Sequence, residues 1–176
     1  YRKRFERLSA MAKAGPTWLA THRPIWGLTA ADEGADRDVV VVERTLQQAG
    51  AASLPVDAVL GGHLHRLQTV PSVGGRPVSL VSGGGGTALS TPMPDALLLE
   101  HPQALGELGV DRDGFRNVDG HGYYLATLGE GGWRVAAKDL DGKELFWVTL
   151  PGPSVPEVDP PEGPTARPGP PGSDRR

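Results

Sequence analysis

The segment that most limits what this chain can fold into is Val56-Asp57-Ala58-Val59-Leu60 followed directly by Gly61-Gly62-His63-Leu64-His65. A short apolar run rich in β-branched residues reads as a buried strand. Two glycines at its end let the backbone turn tightly and approach whatever lies there. Histidines at i and i+2 of an extended segment project to one side. Both imidazoles are thus expected together at the carboxyl end of a strand, where α/β folds place their ligands. A second run, Trp18-Leu19-Ala20-Thr21, ends in His22 and leads into Arg23-Pro24-Ile25-Trp26-Gly27. Two strands that each end in histidine point to a metal centre built from His22, His63 and His65.

A chain of 176 residues can hold one domain with a real core. Its 25 glycines and 17 prolines, against 38% hydrophobic residues, make it rich in loops. A net charge of −3 gives no electrostatic case for nucleic acid or an anionic membrane. No apolar run approaches the length of a bilayer span. The absence of cysteine removes disulfides and thiolate metal sites. The chain opens on Tyr1 without a signal-peptide pattern, which predicts a piece of a longer protein or a removed upstream segment.

Residues 2–14 are charged and Ala-rich, with Phe5, Leu8 and Met11 spaced by three, and predict an amphipathic helix stopped at Gly15-Pro16. Residues 17–21 read as a strand and 24–36 as a loop. Asp38 to Gln48 reads as a second helix with Gly50 as its stop, although the β-branched Val39–Val42 run conflicts with a helical first turn. After the histidine loop, Leu67–Val70 and Pro77–Val81 read as strands flanking a Gly74-Gly75 turn. Residues 90–117 form an irregular excursion with helical propensity at Asp95–Glu100 and Gln103–Leu108. Gly122–Leu128, Trp133–Ala137 and Glu144–Leu150 then predict an antiparallel meander. From Pro151 to the end nine of 26 residues are proline, so 151–176 is expected to be a disordered, partly polyproline-II tail.

The order His22-Arg23-Pro24, then Gly62-His63-Leu64-His65 about 40 residues on, then Gly83-Gly84-Gly85-Gly86 about 20 further, resembles the calcineurin-like metallophosphoesterases. Among them it is nearest to bacterial enzymes distantly akin to purple acid phosphatases. The resemblance covers residues 1–150 and includes Gly122-Tyr123-Tyr124 to Asp141-Gly142-Lys143. It implies a four-layer α/β/β/α sandwich with closing antiparallel strands, of which this α/β chain would be the C-terminal half. It also implies hydrolysis of phosphate esters by a dinuclear centre of zinc, iron or manganese. His22 and His63 would bind one ion and His65 the other. Family analogy places such a protein outside the cytoplasm, periplasmic or secreted.

The family also uses an Asp-x-His, a Gly-Asp-x-x-Asp and a Gly-Asn-His, which supply the bridging aspartate, the asparagine ligand and the histidine acting on the leaving group. None occurs here in order. Asp119-Gly120-His121 spells the first, but it follows the Gly-His-x-His element and reads as coincidence. Three imidazoles without a bridging carboxylate should not hold two cations. The chain alone is therefore expected to lack activity and to await the missing N-terminal half of its domain. No catalytic residue is assigned to it. An isolated half should leave one sheet face uncovered, with marginal stability and aggregation.

Plainer readings stand beside these. His63 and His65 could form a polar surface turn. Gly83–Gly86 could cradle phosphate on its backbone amides or simply make a tight turn beside the site. Arg23 or Arg66 could contact phosphate, but exposed arginines beside loops are commoner. Trp18 and Trp26 should pack on the core. There is no Gly-x-Ser-x-Gly elbow and no dinucleotide fingerprint. Two other functions are open: a mononuclear zinc protein using all three histidines, and a non-catalytic module whose Pro-rich tail recruits partners.

Overall fold

In the computed structural model, the described residues are 2–12, 16–31, 39–42, 46–47, 54–86 and 88–152. Elements run in the order α1 (Arg2–Ala12), β1 (Trp18–Thr21), β2 (Leu28–Ala30), β3 (Val39–Val41), β4 (Ala58–Gly61), β5 (Leu67–Val70) and β6 (Val78–Ser82). Then follow α2 (Asp95–Glu100), α3 (Pro102–Glu107), β7 (Arg116–Val118), β8 (Gly122–Gly129), β9 (Gly132–Asp139) and β10 (Glu144–Leu150). The chain is mixed α/β.

A five-stranded mixed sheet has the order β1-β4-β6-β5-β7. Its first three strands are parallel, with Trp18 opposite Ala58 and Ala58 opposite Val78. β5 runs antiparallel to both β6 and β7. The β5–β6 turn contains Gly74 and Gly75 at φ 59 and 81, a left-handed pair that glycine adopts at little cost. β8, β9 and β10 form an antiparallel meander, and β2 pairs with β3.

Two apolar layers cover the faces of the large sheet. On one side Val59 and Val70 pack with Ile25, Trp26, Leu98 and Phe115, joining α1, β2–β3 and α2–α3 to the sheet. On the other, Ala58 and Leu80 meet Val135 and Leu150 of the meander, with Trp18 tilted against Trp133 at 5.2 Å between ring centroids. Each fully buried aliphatic side chain contributes about 1.5–3 kcal/mol relative to exposure. Beyond the meander the layering stops among the described residues. Tyr123, Leu125 and Trp147 are exposed on its outer face, Trp147 at 55%. β8 is an edge strand, and Tyr123–Gly129 carries neither a charge nor a proline.

Several expectations need correction. The α1 stripe is Phe5, Leu8 and Ala12, whereas Met11 is 72% exposed. A spacing of exactly three drifts off the 3.6-residue period, and Ala12 at i+7 falls back on the buried face. Val39–Val41 is a strand with the alternation buried–exposed–buried, so β-branching prevails over the helical reading. Leu46 and Gln47 are helical, while 43–45 and 48–50 lie outside the described residues. β2 occupies the expected loop 24–36, and β7 lies in the expected excursion, which also holds α2 and α3. The tail from 153 onward lies outside the described residues.

Candidate functional site

β1 and β4 end in register, with Thr21 opposite Gly61, so both chains leave the sheet at one level. His22 and Gly62 come next, and the Gly62 N–H donates to the His22 carbonyl at 3.0 Å. A Cβ on Gly61 would lie 2.7 Å from Pro24 Cα, so glycine is what lets the His22-Arg23-Pro24 turn cross the end of β4. The outcome is that the exposed rings of His22 and His63 meet edge-on, 5.2 Å between centroids and 69° between planes.

The histidine loop is not extended. His63 has φ 63, the left-handed region that a non-glycine residue adopts at a cost of roughly 1–3 kcal/mol. Leu64 N donates to Gly62 O and Arg66 N to Leu64 O, two successive tight turns that bury Leu64. His65 is held separately. Its N–H donates to Ser90 Oγ at 3.0 Å, and Ser90 N returns a bond to His65 O. The structure therefore pairs His22 with His63, and no ring contact joins His65 to them. Among the described residues no three His, Asp or Glu side chains come together as a metal-binding set. Two imidazoles without a carboxylate do not by themselves fit a dinuclear centre.

The Gly83–Gly86 loop divides in two. Gly83 N donates to Arg66 O, and a Cβ there would overlap the Leu64 carbonyl oxygen and lie 2.6 Å from its carbon. Gly84 O accepts from Gly122 N and lies 3.1 Å from His121 Nδ1. Gly85 and Gly86 have open space around them. The first two glycines thus seat the histidine loop against the segment leading into β8.

Arg66 is the largest departure from expectation. It is 1% exposed, its Nη1 bonds Asp119 Oδ1 at 3.0 Å, and its Nη2 donates to Thr91 O. Asp119 Oδ2 accepts from Met93 N at 2.7 Å, and Asn117 Nδ2 donates to Met93 O. Gln68 extends this network, accepting from Leu28 N and donating to Leu28 O and Asn117 Oδ1. Asp119, dismissed as part of a chance motif, is what neutralises a buried arginine directly after the histidine loop. The signal was available: an arginine heading a strand as apolar as Leu67–Val70 needs a buried acid.

A cavity of about 660 Å³ opens beside His22, between α1 and the end of β1. Phe5, Leu8 and Leu19 wall it, with Arg4 and Arg23 among its polar lining.

No protein-family model and no curated protein matches this chain. The functional reading therefore rests on the residues and on this geometry.

Proposed function

We propose that this chain is part of a calcineurin-like metallophosphoesterase, the C-terminal half of a four-layer sandwich, and that it offers His22 and His63 to one metal ion and His65 to a second. The observation that carries the reading is the edge-on pair of His22 and His63, set by the matched ends of two adjacent parallel strands. Neutral imidazole is a good donor to zinc and iron. Bound ions would polarise a phosphoryl oxygen and activate water for ester hydrolysis. The chain's own part is to hold the imidazoles. The parallel register sets their spacing, and Gly61 and Gly83 let the two loops close over each other. The Arg66–Asp119 pair anchors the residue that directly follows the loop. The carboxylate ligands would come from the remainder of the domain, whose layer would also cover Tyr123, Leu125 and Trp147.

The test has two arms. The coding sequence upstream of Tyr1 should contain an Asp-x-His, a Gly-Asp-x-x-Asp and a Gly-Asn-His in frame. Residues 1–176 should bind Mn²⁺ or Zn²⁺ weakly and not turn over an aryl phosphate. The extended protein should turn it over and lose activity in His63→Ala. Turnover by 1–176 alone that depends on His63 overturns the half-domain reading. One tightly held zinc per chain, lost in each single histidine variant, would establish the mononuclear alternative instead.

A further inference from the structure

The edge of β8 has an alternation, a length and a composition that together select a partner. Gly122 donates its N–H to Gly84 O, whereas Asp139, opposite it in β9, turns its N–H and carbonyl to Lys143 and Gly142. The two therefore form a non-hydrogen-bonded pair, each backbone facing away from the other. Bonding alternates along an antiparallel ladder, so Tyr124, Ala126 and Leu128 also turn their N–H and C=O outward. Among the described residues no strand lies beyond them. Leu125, Ala126, Thr127 and Leu128 are all exposed.

Proteins blunt such edges with charge, proline or a bulge. β10, the opposite edge of the meander, has Glu144, a register irregularity between Glu144 and Phe146, and Pro151 directly after it. β8 pairs with β9 without a register shift, and 123–129 holds no charge and no proline. The stretch is bounded on both sides. Gly84 occupies the edge at Gly122, and the strand ends at Gly129. Its midpoint is Ala126, whose backbone groups point outward. A two-fold axis there sets Ala126 opposite Ala126 of a second copy, Tyr124 opposite Leu128, and Leu125 opposite Thr127. Every outward N–H then meets an outward carbonyl, and no like charges oppose each other. The same register brings the second copy's Glu130-Gly131 turn opposite Gly122, beside Gly85 and Gly86, which have open space around them.

We propose that β8 pairs antiparallel with β8 of a second copy of this chain about a two-fold axis at Ala126, joining two three-stranded meanders into one continuous sheet. About six backbone hydrogen bonds close the junction, and the exposed Leu128 of each copy packs beside Tyr124 of the other. Isologous pairing uses up both edges, so association stops at two copies. An unrelated extended segment could fill the same bonds, but only a second copy ends at the same two boundaries in both directions. The junction runs along the strand edge and leaves the outer face of the meander free, so it does not depend on the phosphoesterase reading.

The test is sedimentation equilibrium on the full chain in chelator. The mass should rise reversibly with concentration towards twice 18.5 kDa and no further. Ala126→Lys and Ala126→Glu alter an exposed side chain and no ladder bond, and each places like charges opposite each other at the axis. Each alone should weaken association at least about tenfold, and an equimolar mixture of the two should restore it. Amide hydrogen exchange at Tyr124, Ala126 and Leu128 should slow at least about tenfold between dilute and concentrated parent, a readout that needs no substitution. A chain monomeric at every concentration, a mass that climbs past two copies, or association that survives both substitutions overturns the proposal. Exchange indifferent to concentration overturns it as well. So does a mixture that associates no more tightly than its components, which would mean that the edge takes a different strand.

Discussion

Gly83 is the position where one added methyl group should do the most damage. Its Cβ would lie 2.6 Å from the Leu64 carbonyl carbon, whereas ordinary contact begins at 3.4 Å, so that peptide must retreat by about 0.8 Å or more. Neither side can yield cheaply. Gly83 N is bonded to Arg66 O at 3.1 Å, Leu64 O accepts from Arg66 N at 2.8 Å, and His65 is tied to Ser90 through both its N–H and its carbonyl. Losing about two of these bonds at about 1 kcal/mol each, on top of about 1–3 kcal/mol for overpacking, gives about 4 kcal/mol. At about 2–4 °C per kcal/mol for a chain of this size, Gly83→Ala should melt about 8–16 °C below the parent by circular dichroism. Gly85→Ala is the control. Its Cβ meets nothing within 4 Å, so it should stay within about 1 kcal/mol of the parent. If Gly83→Ala melts with Gly85→Ala, the close approach of the two loops is wrong, and with it the account of how the histidine loop is seated.

Gln68→Leu should cost about 2–4 kcal/mol in urea denaturation, since it leaves Leu28 N–H and C=O buried without partners. Tyr124 donates its hydroxyl to Gln68 O at 2.7 Å, and burial pushes its phenol above the ordinary value of 10.0, partly offset by the Thr69 hydroxyl. A raised folded value means that its contribution is complete below pH 10 and declines as the pH climbs towards that value. Tyr124→Phe should therefore cost about 1 kcal/mol at pH 8 and flatten the alkaline limb of the stability profile. If the limb keeps its slope, another group governs it. Leu125→Lys with Leu128→Lys should reduce the light scattering of concentrated protein, because it puts charge on an uncharged edge strand whose Leu128 is 49% exposed. Unchanged scattering would exonerate β8.

What could be read from the sequence follows the range of the interactions involved. The Gly74-Gly75 turn, the meander and the short helix at Asp95–Glu100 are specified by neighbours a few residues apart, and they stand where the sequence puts them. β2 and β7 are three residues each and exist because β3 and β5 pair with them, which no local window contains. The candidate site divides the same way. That His22 and His63 would meet follows from two strands ending in histidine. The left-handed φ at His63 departs from the extended i, i+2 geometry, and the loop around it is bonded or packed against Ser90 and Gly83, some 20–27 residues further along. The apolar strand after Arg66 signals that it needs an acid, but its partner, Asp119, is 53 positions away and no local window identifies it.

The parallel register of β1 and β4 also has a kinetic consequence. Trp18 pairs with Ala58, 40 positions distant, whereas β8 and β9 close over a two-residue turn. Chain closure over the longer separation is slower and costs more entropy. The expectation is that the meander and the β5–β6 hairpin form early and that His22 reaches His63 last. A ligand that needs both imidazoles would then find no partner in the folding transition state. It would leave the refolding rate unchanged and act on unfolding alone, lengthening the lifetime of the native chain.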